Sequence, residues 1–209
     1  MKHDHPNTVI DEVLSEEETL QVLSAVENSH GNKFVEVHCQ TNNFINLPQN
    51  IIDKFTGYAR SISKNNNLVL TEYCHSKYEN REVEGHKYKP SLFPHYDETF
   101  KEERFTVDFQ LKSNVQWPLV VEEKEFTLFD NQALTFSGTN QIHWRTPKHF
   151  GDNDFVEMIY FHFSDPTGGP KEENANQIMD SKSAKYQKWF DENGGYSNGK
   201  YLDGKYING

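Results

Sequence analysis

The chain is poor in cysteine, in positive charge and in long apolar runs. Two cysteines, Cys39 and Cys74, stand in 209 residues, too few for the disulfide framework of a small secreted domain. No Cys-x-x-Cys pair occurs, so a thiolate zinc site is not indicated. Lys and Arg number 21 against 32 Asp and Glu, a net charge of −11. That balance argues against a general nucleic-acid surface, whose affinity rests on basic side chains. No stretch approaches the ~20 apolar residues of a membrane helix, and no apolar run follows Met1-Lys2-His3-Asp4-His5 as a signal peptide requires. The expectation is a cytoplasmic protein with free thiols and no membrane partner. At this length one domain can bury a sizeable core without covalent staples.

What the chain does have is concentrated in residues 92–163. Phe93-Pro94-His95-Tyr96-Asp97 opens this stretch. On an extended segment His95 and Asp97, two apart, point to the same face. Ile142-His143-Trp144-Arg145-Thr146-Pro147 closes it, with His143 lying 46 residues after Asp97. Two imidazoles and a carboxylate can occupy one face of an octahedral metal and leave three positions open, the facial arrangement of non-haem Fe(II) oxygenases. A His-x-Asp pair alone is a weak signal; its setting is stronger. Between the ligands run Phe105-Thr106-Val107-Asp108-Phe109-Gln110-Leu111, Trp117-Pro118-Leu119-Val120-Val121, Glu125-Phe126-Thr127-Leu128-Phe129 and Ala133-Leu134-Thr135-Phe136-Ser137-Gly138. Each is a short strand bounded by polar, Gly or Pro residues. A strong last strand, Phe155 to Phe163, sets Val156, Met158 and Tyr160 on one side. His162 reads there as a packed strand-end histidine. Such a series predicts a small antiparallel barrel or jelly roll.

The N-terminal part reads as a strand at Val9-Ile10 and a helix capped by Ser15 with Glu18 three residues later, a capping box. A second helix follows Pro48, with Ile51, Ile52, Phe55, Tyr58, Ala59 and Ile62 as its apolar stripe. Both helices are expected to cover one sheet. Leu68 to Tyr78 reads as a strand, and Asn80 to Gly85 as a mobile charged loop. Residues 1–166 form the expected barrel domain with its helices. Residues 167–209 form an appendage, with a helix between Asn174 and Asn193 and a Gly/Tyr-rich tail carrying Gly-Lys-Tyr twice. That tail is a candidate latch on the barrel, a candidate surface for oligomerisation, or a loose end.

The motifs between residues 68 and 164 resemble the double-stranded β-helix of the 2-oxoglutarate/Fe(II)-dependent dioxygenases, above all the prolyl-hydroxylase-like and phytanoyl-hydroxylase-like branches. The likeness is carried by Pro94-His95-Tyr96-Asp97, Trp117-Pro118-Leu119, Asp130-Asn131-Gln132-Ala133-Leu134, and Gly138 followed by Ile142-His143-Trp144-Arg145. It implies a mainly β fold with flanking helices, and His95, Asp97 and His143 as iron ligands and catalytic residues. It implies Fe(II) as metal, 2-oxoglutarate and O2 as cosubstrates, ascorbate as a stimulant, and release of succinate and CO2 as a peptide or small molecule is hydroxylated. Tyr88, seven residues before His95, is a candidate contact to the cosubstrate.

One departure stands out. The resemblance implies a basic residue about ten positions after the last histidine ligand, and residues 151–160 contain none. Arg145, two after His143, is the replacement candidate for the far carboxylate of 2-oxoglutarate, since a guanidinium binds carboxylate bidentately. Lys112 and Lys148 are the runners-up. The competing reading is a cupin-like metal-binding protein or isomerase that uses no 2-oxoglutarate.

Overall fold

The computed structural model describes residues 7–35, 39–83, 85–88, 90–95, 97, 104–145, 148 and 150–167, with backbone alone at 35, 83, 86–88, 93, 94, 200–202 and 205–207. In chain order these form β1 (Thr8–Ile10), α1 (Glu16–Glu27), β2 (Asn32–Val35), β3 (Gln40–Asn43), α2 (Gln49–Ser63), β4 (Val69–Glu79), β5 (Arg81–Val83) and β6 (His86–Tyr88). There follow β7 (Leu92–His95), β8 (Arg104–Ser113), β9 (Leu119–Val121), β10 (Lys124–Phe126), β11 (Gln132–Ser137), β12 (His143–Arg145), β13 (Phe155–Ser164), β14 (Lys200–Leu202) and β15 (Lys205–Ile207). Strands β1-β11-β8-β13-β4-β3-β2 make a seven-stranded antiparallel sheet, and β10-β9-β12-β7 a four-stranded one. Mainly antiparallel strands in a large and a small sheet, with two helices outside, match the expected jelly roll.

Strand β8 shows how the core is divided. It is buried on both faces, yet the two faces differ in kind. Phe105, Val107, Phe109 and Leu111 join the helix-side core, while Thr106, Asp108 and Gln110 alternate with them and point the other way. On the helix side Phe55 of α2 stacks on Phe161 at 3.9 Å between centroids and meets Phe109 edge-on at 5.4 Å. Ile51, Phe55 and Ala59 are fully buried there, so the apolar stripe does what its spacing predicts. Burying a side chain such as Phe55 contributes roughly 1.5–3 kcal/mol. Between the sheets, Leu134 and Phe136 pack with Leu119, Val121 and Leu128. A polar inner face therefore continues an apolar one, and that polar part holds the candidate site.

The Ser15 hydroxyl accepts from the Glu18 amide and the Glu18 carboxylate accepts from the Ser15 amide, completing the predicted capping box. Asn131, in the left-handed region at φ +65°, fastens β11 to the N-terminal segment: its side chain both accepts from and donates to the Leu14 backbone at 2.8 Å.

Part of the expected loop from Asn80 to Gly85 is strand. β5 pairs antiparallel with β6, Arg81 opposite Tyr88 and Val83 opposite His86. Gly85 at φ +81° makes the turn, a conformation glycine adopts without steric cost, and Arg81 lies 4.5 Å over the Phe34 ring. After Lys148, Phe150 is buried and the Asp154 carboxylate accepts from the Gly151 amide at 2.7 Å. The expected helix between Asn174 and Asn193 lies outside the described residues. The two Lys-Tyr pairs of the repeated units lie on β14 and β15, which pair antiparallel, and β15 runs beside β7.

Candidate metal centre

β12 pairs with β7, setting His143 directly opposite His95. Their rings lie 4.2 Å apart. Asp97 follows β7, anchored by its amide donating to the Gly138 carbonyl at 2.8 Å. One ligand atom from each of His95, Asp97 and His143 lies within 4.8 Å of the other two. His143 Nε2 and Asp97 Oδ1 are 3.4 Å apart. Metal bonds of about 2.1 Å meeting at right angles require ligand atoms about 3 Å apart, so this edge of the triad needs only slight tightening. The sequence-predicted trio is thus brought together, and its donor set fits a divalent first-row metal.

The surroundings fix which atoms face a metal. His143 Nδ1 lies 3.1 Å from the Gln141 carbonyl. A carbonyl only accepts, so Nδ1 carries hydrogen and the neutral ring presents its Nε2 lone pair. Asp97 is held through its other oxygen: Thr106 Oγ1 donates to Oδ2 at 2.7 Å, and His162 Nε2 lies 3.5 Å from it. Oδ1 is left for the metal. Burial works to raise the Asp97 pKa, but His143, then His162 and His95, outweigh it and hold the carboxyl well below the ordinary range. Burial likewise works against a charged His143, but Asp97 raises its pKa above the ordinary value. Metal and proton therefore compete for His143 Nε2.

His162 is the residue sequence reasoning missed. It was read as strand-end packing, yet it joins Asp97 to Arg104 and Glu72. Arg104 Nη1 donates to His162 Nδ1 at 3.0 Å, and Glu72 Oε2 lies 3.3 Å from the same nitrogen. Tyr160 stacks on its ring at 4.8 Å. The signal available was the alternation Met158, Tyr160, His162 on the face of β13 opposite the helix-packed Ile159, Phe161 and Phe163.

Deeper inside, Arg145 is 1% exposed. Its guanidinium donates to the Trp117 carbonyl and lies 5.0 Å over the Trp117 ring. Tyr78 and Asp108 are its electrostatic neighbours, and burial lowers its pKa. The runners-up lie elsewhere. Lys112 is exposed above the Phe155 ring, and the Lys148 ammonium donates to the Gln116 carbonyl. The backbone of Tyr88 lies in β6, and its side chain is outside the described residues.

Asp108 is 8% exposed, and its carboxyl makes no hydrogen bond among the described residues. Burial pushes its pKa up to about 6, against the pull of His143 and Arg145. A carboxyl raised above its unfolded value favours folding while protonated, and that contribution is lost as pH rises from about 4 to 6. Asp108→Asn is accordingly expected to stabilise the protein at pH 7 by up to about 3 kcal/mol and to change little at pH 4. Thermal unfolding at the two pH values checks this; equal shifts at both would contradict it.

Comparison with protein-family models and with curated proteins finds no match. Solved structures do match. A 2OG-Fe(II) oxygenase family oxidoreductase from Burkholderia pseudomallei aligns with TM-score 0.57 over 79% of this chain and 87% of its own, at 11% identity. The fold is that of the 2OG-Fe(II) oxygenases. The non-heme alpha ketoglutarate dependent epimerase SnoN of nogalamycin biosynthesis aligns at TM-score 0.60, 10% identity, covering 83% and 84% of the two chains. A prolyl-4-hydroxylase from Pseudomonas putida aligns at 0.52, 12% identity, covering 77% and 93%. By name these neighbours differ in reaction, one being an epimerase and another a prolyl-4-hydroxylase. Among the described residues no helix is long and apolar enough to cross a membrane.

Proposed function

We propose that this protein is an Fe(II)- and 2-oxoglutarate-dependent oxygenase that oxidises, most simply hydroxylates, a small-molecule or peptide substrate. The observation that carries the proposal is the trio His95, Asp97 and His143, with donor atoms within 4.8 Å of one another. When bound, Fe(II) with 2-oxoglutarate and O2 supplies the oxidising power, releasing succinate and CO2 as one oxygen atom enters the substrate. The protein supplies geometry. Gln141 sets the His143 tautomer, Thr106 and His162 turn Asp97, and Phe136, 4.7 Å from the His143 ring, shields one side from water.

In this reading Arg145 receives the far carboxylate of 2-oxoglutarate. It is a buried cation on the strand that carries His143, and Lys112 and Lys148 are directed elsewhere. An incoming carboxylate would push Asp108, already raised, further toward its neutral form, freeing the Arg145 charge for the ligand. Losing a charge-assisted pair of roughly 1.5–3 kcal/mol should weaken 2-oxoglutarate binding about ten-fold or more at ~1.4 kcal/mol per decade. Arg145→Gln is expected to show that loss with iron affinity retained, and Arg145→Lys a partial recovery.

The contacts of Arg145 with Trp117 and Asp108 favour one alternative, in which it is structural and the barrel binds metal without 2-oxoglutarate. Anaerobic Fe(II) titration separates the two. A weak visible charge-transfer band that grows only when 2-oxoglutarate is added supports the oxygenase. Iron binding with no such band at saturating 2-oxoglutarate would overturn it.

A further inference from the structure

A cavity of about 530 Å3 opens on the inner face of the large sheet, lined among others by Lys33, Asn42, Phe44, Glu72, Cys74 and Tyr160. Its size suits a small-molecule ligand rather than a folded partner. It neighbours the metal centre across His162. Tyr160 stacks on His162, Glu72 lies 3.3 Å from His162, and His162 lies 3.5 Å from Asp97.

The wall of this groove is polarised. At the metal end stands Glu72, half exposed, with Oε2 engaged by His162 and by Arg104 at 3.8 Å. Its Oε1 has no partner among the described residues. The closeness of His162, with Arg104 beside it, holds this carboxyl below its ordinary pKa, so it stays charged. At the far end stands Lys33, exposed, with no ion pair or hydrogen bond among the described residues. Between them Phe44 is 55% exposed, an uncovered aromatic face bordering the groove. Lys33 pairs with Asn42 and Asn42 with Ser76. Lys33 is therefore two strands across from Glu72 and level with a residue four further along β4. At strand spacings of about 4.8 Å and rises of about 3.3 Å the two Cα atoms are roughly 16 Å apart. Both residues line the cavity, and side chains directed into it leave a gap the length of two or three extended residues, at ~3.3–3.6 Å each.

We propose that this groove seats the primary substrate, and that the substrate is an elongated zwitterion with an apolar middle, its ammonium on Glu72 and its carboxylate on Lys33. An amino-acid derivative or short peptide has this chemistry. The assignment rests on the oxygenase reading only in calling the occupant a substrate; the charge pattern belongs to the groove.

The test uses the metal-free full chain, with the tripeptide Gly-Phe-Gly as probe, followed by saturation-transfer NMR. Gly-Phe-Gly with free termini should bind saturably, and N-acetylation or C-amidation should each weaken binding about ten-fold. Glu72→Gln should erase the penalty of acetylation and leave that of amidation. Lys33→Met, on an exposed edge strand where misfolding is not a concern, should do the reverse. Equal binding of the three peptides, no binding of any, or a variant that alters both penalties together would overturn the proposal. None of these outcomes touches the iron and 2-oxoglutarate titration, so the two readings fail separately.

Discussion

Asp97→Ala and His143→Ala are each expected to lower Fe(II) affinity at least 100-fold, or about 2.8 kcal/mol at ~1.4 kcal/mol per decade, with the fold retained. Each removes one of three donors, and the remaining two cannot define a face of the octahedron. Asp97→Ala should cost more than distance alone suggests. It also removes the counter-charge that raises His143 and the acceptor for Thr106 and the neighbour of His162. The helix-side core of Phe55, Phe109 and Phe161 lies on the other face of the large sheet, so far-ultraviolet circular dichroism should be unchanged. His162→Gln provides the graded control. It leaves all three donors and loosens only Asp97, for which the usual cost of an outer-sphere change is roughly 10–100-fold in metal affinity. Iron binding at wild-type stoichiometry and affinity in both alanine variants would remove the trio from consideration.

How much of this was legible in the sequence depends on what each residue's role rests on. His95, Asp97 and His143 were legible because two share one extended segment and the third closes a run of alternating strands. The capping box at Ser15 and Glu18 and the stripe of α2 were legible because they rest on contacts within a few residues. The roles of His162 and Asp108 were not. Each lies mid-strand, and what it does depends on which strands flank it. β13 lies between β8 and β4, and that order brings Thr106, His162 and Glu72 side by side. Local spacing carries no information about it. One clue was present and underused: Thr106, Asp108 and Gln110 alternate with Phe105, Val107, Phe109 and Leu111 in a strand buried on both faces, and a polar face inside a barrel has to serve something. The pairing of β5 with β6 is hidden in the sequence because the charged composition of residues 80–85 outweighs the turn signal of Gly85. The groove from Lys33 to Glu72 gathers residues from four strands and had no linear signature.

Gly138 was legible only as part of a motif, and its physical role leads to the second large effect. Gly138→Ala is expected to reduce Fe(II) affinity nearly as much as Asp97→Ala. The glycine stands at the end of β11 with both backbone groups engaged: its amide donates to the Arg104 carbonyl at 2.9 Å and its carbonyl accepts from the Asp97 amide at 2.8 Å. Its φ lies outside the left-handed region, so alanine meets no backbone penalty and the whole effect comes from the new methyl group. That methyl carbon would lie 1.8 Å from Asp97 Oδ2, 2.7 Å from Asp97 Cγ and 2.5 Å from Thr106 Oγ1. The carboxylate must swing away, and it is confined on its other sides by His143 and His162. Moving it breaks the Thr106 hydrogen bond and carries Oδ1 off the triad by more than an ångström, a misplacement that costs a bound ligand dearly. Thr106→Val separates crowding from lost hydrogen bonding. It removes the Oγ1 contact without filling the space beside Oδ2, and should weaken iron binding roughly 10–100-fold, less than Gly138→Ala. Both variants can be titrated anaerobically with Fe(II) and compared with Asp97→Ala. A Gly138→Ala protein that binds iron as the wild type does would mean that Asp97 does not reach the metal from the position seen here.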